Sequence, residues 1–263
     1  MTRLHMVTSG DGPPLVLIHG WAMHGGVFHT LVDRLRARYT LHVVDLPGHG
    51  GSHADGTPLA FDAVCDAIAA QVPVAPWVGW SLGGMFALHA AVREPARVPG
   101  LVALCSSPRF VRGPDWRYGV SPEIFRDFAN GLATDYRGTL DRFVALEAFG
   151  SDHAKDEMRE LRAELFARGE PAARVLVDGL HILETSDLRP LLPRLRVPSL
   201  WLAGRRDRLV DPRAMRDAAA LVNDAGHVPA TFAQIEHAGH APFLTHADEV
   251  LAHLVPFLDG VAT

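Results

Sequence analysis

Three observations in the sequence predict an α/β fold: a mostly parallel central sheet with helices on both faces and an inserted block of four helices. Short apolar runs alternate with helical patterns up to about residue 108. Residues 109–185 then carry helix starts without strand texture, and strand texture returns from residue 198 onward. An α/β core of residues 1–108 and 186–263, interrupted by a helical lid at 109–185, is the simplest arrangement of such elements.

Each element has its own justification. Pro14-Leu15-Val16-Leu17-Ile18-His19 is apolar and stops at Gly20, and Leu41-His42-Val43-Val44-Asp45 stops before Pro47-Gly48. Ala75 to Gly79 and Leu101 to Cys105 continue the series. Uninterrupted apolar runs separated by helical patterns are what a parallel sheet buried on both faces requires. In the insert, helices are expected to start near Ser121-Pro122, Asp135, Ser151-Asp152 and Pro171, each a capping residue or an early proline. Pro198 to Gly204 and Ala230 to Ile235 read as the last two strands.

Composition narrows the function. The 263 residues are 48% hydrophobic and 21% charged, a globular balance with material for a core. A net charge of −5 gives no reason to expect nucleic acid as a partner. Cys65 and Cys105 sit in apolar surroundings and read as buried thiols in a reduced compartment. Met1-Thr2-Arg3-Leu4-His5 lacks the apolar stretch of a secretory signal, and no apolar run approaches the ~20 residues of a membrane span. A cytoplasmic monomer is expected, without metal or organic cofactor, since no ligand cluster stands out.

The chemistry centres on Gly79-Trp80-Ser81-Leu82-Gly83, a G-x-S-x-G motif between an apolar strand and the helical pattern Met85 to Arg93. That setting makes Ser81 a nucleophile candidate on a sharp strand-to-helix turn, with glycines two residues away on each side. A serine hydroxyl is a weak nucleophile and needs a base, which in turn needs an orienting carboxylate. The expected chain order is Ser, acid, His. Asp207, just past the strand that ends at Gly204, is favoured over Asp211 because it stands nearer the strand end. His237, His240 and His246 follow the last strand. His240 lies in a loop with Gly239 before it and a helix start after it, which makes it the preferred base; His237 is the alternative, and His246 is expected in or against the final helix. The oxyanion of a tetrahedral intermediate would take backbone N–H groups from Leu82 and from Trp21, in the turn His19-Gly20-Trp21.

These motifs resemble those of the small lidded α/β-hydrolases, through His19-Gly20-Trp21, Asp45-Leu46-Pro47-Gly48-His49-Gly50 and the Ser81 elbow. Further segments are similar to the family of pimeloyl-acyl-carrier-protein methyl ester esterases of biotin synthesis. They are Gly84 beside the elbow, Ser106-Ser107-Pro108, Asp141 to Leu146, Gly179 to Leu183 and His240-Ala241-Pro242-Phe243. The resemblance spans nearly the whole chain. It implies a carboxylesterase with Ser81, Asp207 and His240 as its triad, and an acyl channel lined by Phe143, Val144, Ala145, Leu146 and Glu147. Glu147 departs from the pattern, where a neutral amide is expected.

The insert offers a surface for the carrier that this resemblance implies as partner. Lys155, Arg159 and Arg162 fall at i, i+4 and i+7 on one helix, beside an apolar face of Ala154, Met158, Leu161 and Leu165. Asp152, Asp156, Glu160 and Glu164 spread over the other side. The basic edge, joined by Arg142, can dock an acidic carrier; the alternative is an ordinary solvated face. Rival activities are a general short-chain esterase, a carbon–carbon hydrolase on the same scaffold, or a ligand receptor that retains the pocket. Serine at the elbow disfavours dehalogenation, which uses aspartate there.

Overall fold

The computed structural model describes residues 3–261; Met1 and Thr2 of the N-terminal stretch, and residues 262–263, lie outside it. A seven-stranded sheet forms the centre, from β1 (Met6–Ser9), β2 (Pro14–Ile18), β3 (Thr40–Val44), β4 (Trp77–Trp80), β5 (Leu101–Leu104), β6 (Ser199–Gly204) and β7 (Ala230–Ile235). Their order is β1-β3-β2-β4-β5-β6-β7. β1 pairs antiparallel with β3, Met6 opposite Val44, and every other pairing is parallel. The expected parallel sheet is therefore present, with strand ends within about two residues of those read from the sequence.

β1 was not anticipated. It has four residues, only part-buried or exposed, and so lacks both the apolar run of a central strand and a legible alternation. It covers the β3 edge and leaves only a very short strand at the rim of the sheet. The inner strands behave oppositely: all of β4, β5 and β6 is buried, and Trp77, Trp80 and Trp201 supply large core side chains.

Helices cover the sheet: α1 (His29–Leu35), α2 (Phe61–Ala69), α3 (Leu82–Arg93), α8 (Pro212–Asp224), α9 (Pro242–Thr245) and α10 (Ala247–Val261). Between β5 and β6 come α4 (Pro122–Thr134), α5 (Tyr136–Ala148), α6 (Ala154–Leu165) and α7 (Ala173–Thr185), with isolated bridges Val111–Val120 and Gly113–Trp116 before them. Pro122 opens α4 and the Asp135 side chain caps α5 through Gly138 N–H. α6 starts later than the Ser151 cap suggested. Ser151 Oγ instead accepts from His153 N–H at 3.1 Å and donates to Glu157 Oε1 at 2.6 Å, which holds a turn ahead of the helix.

The strand order reverses between β2 and β4. In an open α/β sheet the connections leaving the two strands at such a reversal run to opposite sides and leave a crevice outside the strands' carboxyl ends. Ser81 follows β4 and Trp21 follows the end of β2, so both emerge at this point. No helix among the described residues is long and apolar enough to cross a membrane.

Candidate active site

The turn after β4 is built by close approach. Ser81 has φ 55° and ψ −121°, a left-handed geometry rare outside glycine that costs about 1–3 kcal/mol and persists only when neighbours impose it. A Cβ at Gly79 would lie 2.3 Å from the Gly83 carbonyl oxygen, and one at Gly83 would lie 2.3 Å from that of Ile18. Neither glycine has a positive φ; both are required because backbones pack against each other. Ser106 Oγ donates to the Ser81 carbonyl oxygen at 2.7 Å, and Ser106 is the side chain a Cβ at Gly84 would strike. The elbow is thereby tied to the end of β5.

Asp207 and His240 meet. His240 Nδ1 lies 2.7 Å from Asp207 Oδ2, with both side chains essentially without solvent contact. Asp207 Oδ1 accepts the N–H groups of Leu209 at 2.8 Å and Val210 at 2.9 Å, which fixes the carboxylate and leaves Oδ2 to the ring. The Nδ1 contact assigns the proton to that nitrogen and leaves Nε2 as the basic lone pair. Two bonds hold the His240 backbone: Trp80 Nε1 donates to its carbonyl oxygen at 2.8 Å, and its N–H donates to the Glu147 carbonyl oxygen at 3.3 Å. Ser81 Oγ and His240 Nε2 are both buried, and neither has a hydrogen-bond partner among the described residues.

The alternatives lie elsewhere. Asp211 caps α8 and pairs with Arg213 at 2.7 Å. His237 is exposed and pairs with Asp152 at 3.0 Å. His246 stands between α9 and α10.

Leu82 is the first residue of α3, so its N–H has no carbonyl one turn back and points out of the helix start. Gly20 packs so tightly that a Cβ there would lie 3.0 Å from Ser81 Cβ, which brings the backbone leading into Trp21 against the serine. The Trp21 ring is fully buried; its Nε1 donates to the Leu176 carbonyl oxygen of α7 at 2.8 Å, and Phe143 of α5 packs edge-on to it at 4.5 Å. Phe143, Val144 and Glu147 are buried, and Ala145 and Leu146 partly so. Burial and the charge of Asp207 push the Glu147 carboxyl well above the usual range.

Sequence reasoning missed the Trp80 ring bond, the Ser106 brace and Glu157. Glu157 Oε1 accepts from Ser151 Oγ and from Thr245 Oγ1, each at 2.6 Å, and so joins α6 to the helix that follows His240. The signal was present, since Glu157 sits one turn before Leu161 on the apolar stripe of α6. Of the basic edge, Arg142 pairs with Asp135 at 3.2 Å, Arg159 with Asp156 at 2.8 Å and Arg162 with Asp141 at 2.8 Å. Lys155, the sole lysine of the chain, is exposed and enters no ion pair among the described residues.

A buried aspartate, Asp45, ties the insert to the core. It accepts Gly25 N–H at 2.7 Å and Gly51 N–H at 2.8 Å, meets His5 at 2.9 Å, and faces Arg168 of the insert at 3.4 Å. Burial works to raise its pKa, but His19, these two N–H groups and Arg168 hold it below the usual carboxylate range. Beside it, His24 Nε2 lies 2.8 Å from the Glu164 carbonyl oxygen.

A crevice at the sheet reversal, a strained serine and a histidine–carboxylate pair together describe a hydrolase of the α/β class. Residues 13–247 match the family model of the alpha/beta hydrolase fold. The pimeloyl-acyl-carrier-protein methyl ester esterase of Stenotrophomonas maltophilia (strain R551-3) is 55% identical over 259 residues, covering 98% of each chain. The protein of that name from Xanthomonas campestris pv. campestris (strain B100) is 56% identical over 255 residues, 97% of this chain and 98% of its own. Among solved structures, an esterase from Exiguobacterium antarcticum superposes with a TM-score of 0.86 at 19% identity, over 98% of this chain and 96% of that one. The chain belongs to the alpha/beta hydrolase family and, within it, to the family of pimeloyl-acyl-carrier-protein methyl ester esterases.

Proposed function

We propose that the protein is a serine carboxylesterase that hydrolyses the methyl ester of a pimeloyl chain carried on acyl-carrier protein, a step of biotin synthesis. Ser81 Oγ attacks the ester carbonyl while His240 Nε2 takes its proton; the imidazolium then protonates the departing methanol. Water, deprotonated by His240, attacks the acyl-enzyme and releases Ser81 and the free pimeloyl carboxylate on the carrier. Asp207 holds the ring tautomer and stabilises its cation. The N–H groups of Trp21 and Leu82 stabilise the oxyanion, a role in which the loss of one donor costs about 10²–10³ in rate.

One observation carries this reading: the serine on the strained turn directly follows Trp80, whose ring N–H holds the carbonyl of a buried histidine bonded to Asp207 at 2.7 Å. Identity of 54–56% to curated esterases over nearly the full length supports the substrate. Residues Phe143 to Glu147 line the acyl channel, the helices of 109–185 form a lid over it, and Arg142, Lys155, Arg159 and Arg162 receive the acidic carrier. Two buried free cysteines fit a cytoplasmic enzyme, and we take it to act as a monomer.

The experiment is hydrolysis of pimeloyl-acyl-carrier-protein methyl ester by purified protein, compared with a small aryl ester. The carrier-linked ester is expected to be turned over with the higher kcat/KM, and Ser81→Ala to lose turnover of both by at least about 10³-fold. Preference for the small ester would favour a general esterase, and full turnover by Ser81→Ala would remove the mechanism.

A further inference from the structure

The catalytic steps leave a buried acid unused. Both carboxyl oxygens of Glu147, in the last turn of α5, are out of solvent contact and without a hydrogen-bond partner among the described residues. Its own carbonyl oxygen receives the His240 N–H. A Cβ placed on Gly239 would lie 3.4 Å from that oxygen and 3.5 Å from Glu157 Oε2, so α5 and α6 grip the His240 loop from two sides. The turn after α5 presses on the loop that carries Asp207, where a Cβ at Gly150 would lie 2.5 Å from the Arg206 carbonyl oxygen.

The ionisable groups around this loop are Asp207 after β6, His240 after β7, Glu157 on α6 and the Cys105 thiol after β5. Glu157, faced in turn by His153 and Glu160, is itself raised by burial, although two hydroxyls oppose the shift. Burial and the Asp207 charge also push the Cys105 thiol well up. No cation stands among these groups to neutralise a second carboxylate next to Asp207. An ionised carboxylate with neither hydrogen bond nor counter-charge is far costlier in such a place than the neutral acid.

We propose that Glu147 serves as a neutral carboxylic acid, a positioning residue that seats the last turn of α5 beneath His240, and that its ionisation displaces this turn and slows ester hydrolysis. The inference rests on the triad reading given above. A carboxylate expelled from this spot carries with it the carbonyl that holds the His240 N–H, and with that the seat of the ring beside Asp207.

Two measurements on the full chain test it. In infrared spectra at neutral pH, the carbonyl band of a protonated carboxyl should persist in Glu157→Gln, which removes the second buried acid, and vanish when Glu147→Gln is added. In pH–rate profiles with a small aryl ester, wild type should lose activity on the alkaline side, and Glu147→Gln should lose that alkaline limb. Glu147→Ala, which empties the space, should be slower across the whole range. An unchanged infrared band, or superimposable profiles for wild type and Glu147→Gln, would overturn the proposal. If Glu147→Gln does not fold, the band in Glu157→Gln must disappear with rising pH in step with activity, and its absence at neutral pH is equally fatal. The infrared result needs no turnover, so full activity in Ser81→Ala would remove the esterase mechanism while leaving that result in place.

Discussion

At the scale of single residues, buried histidines set the acid limit of the fold. His19 and His49 are fully buried, and burial first of all lowers their pKa to about 3 and about 4. His19 is satisfied as a neutral ring: Nδ1 donates to the Gly20 carbonyl oxygen at 2.8 Å and Nε2 accepts Leu46 N–H at 2.9 Å. Each folded-state value lies below the ordinary 6.5, so each ring's contribution to stability is complete above pH 6.5. It is lost as the pH falls through the folded value. In that window the unfolded chain binds protons that the folded chain refuses, at about 1.4 kcal/mol per pH unit for each ring. Urea unfolding between pH 6.5 and about 4 should therefore show a steeper loss for wild type than for His49→Gln, by about that slope. Parallel curves would mean that His49 is protonated in the folded protein. The same scale shows what the sequence could and could not reveal. The strained turn at Ser81 and the pairing of Asp207 with His240 were legible because a motif and a chain order single these residues out. The Trp80 ring bond and the Ser106 brace were not, because they join residues far apart in the chain and depend on where a side chain points.

At the scale of elements, the strands were legible wherever they were buried on both faces, and β1 was not because two apolar and two polar residues, all at least part-exposed, form neither a run nor an alternation. The insert shows the complementary case. Its helix starts could be read from Pro122 and Asp135, but the pairing of its arginines could not. In the structure, Arg142, Arg159 and Arg162 each have an acidic partner on the surface. Exposed pairs of this kind are worth about 0–1 kcal/mol, so the proposed docking of an acidic carrier would displace the internal acids at small cost. Arg159→Glu should thus raise KM for the carrier-linked ester and leave hydrolysis of small esters intact. Equal loss on both substrates would locate the damage in the lid. As the only lysine, Lys155 also offers the chain's single side-chain amine for cross-linking to the carrier.

At the scale of the whole molecule, the helical segment between β5 and β6 is fastened to the core at several points. Trp21 bonds to α7, Asp45 faces Arg168, His24 meets Glu164, and Ala172 N–H donates to the Gly48 carbonyl oxygen at 2.9 Å. These contacts join segments more than a hundred residues apart, and none could be placed from the sequence. Within this arrangement Ser81 is 1% exposed and His240 0% exposed.

That burial makes the serine a clock for its own covering. On the proposed lid reading, a fluorophosphonate reaches Ser81 only in molecules whose lid has lifted, so inactivation should accelerate with reagent at first and then level off at a ceiling set by the protein. Two reagents of different intrinsic reactivity should share that ceiling, as expected where gating motions on the microsecond-to-millisecond scale or slower limit access. Inactivation that climbs in proportion to reagent without limit would show that the serine is reached without any such motion.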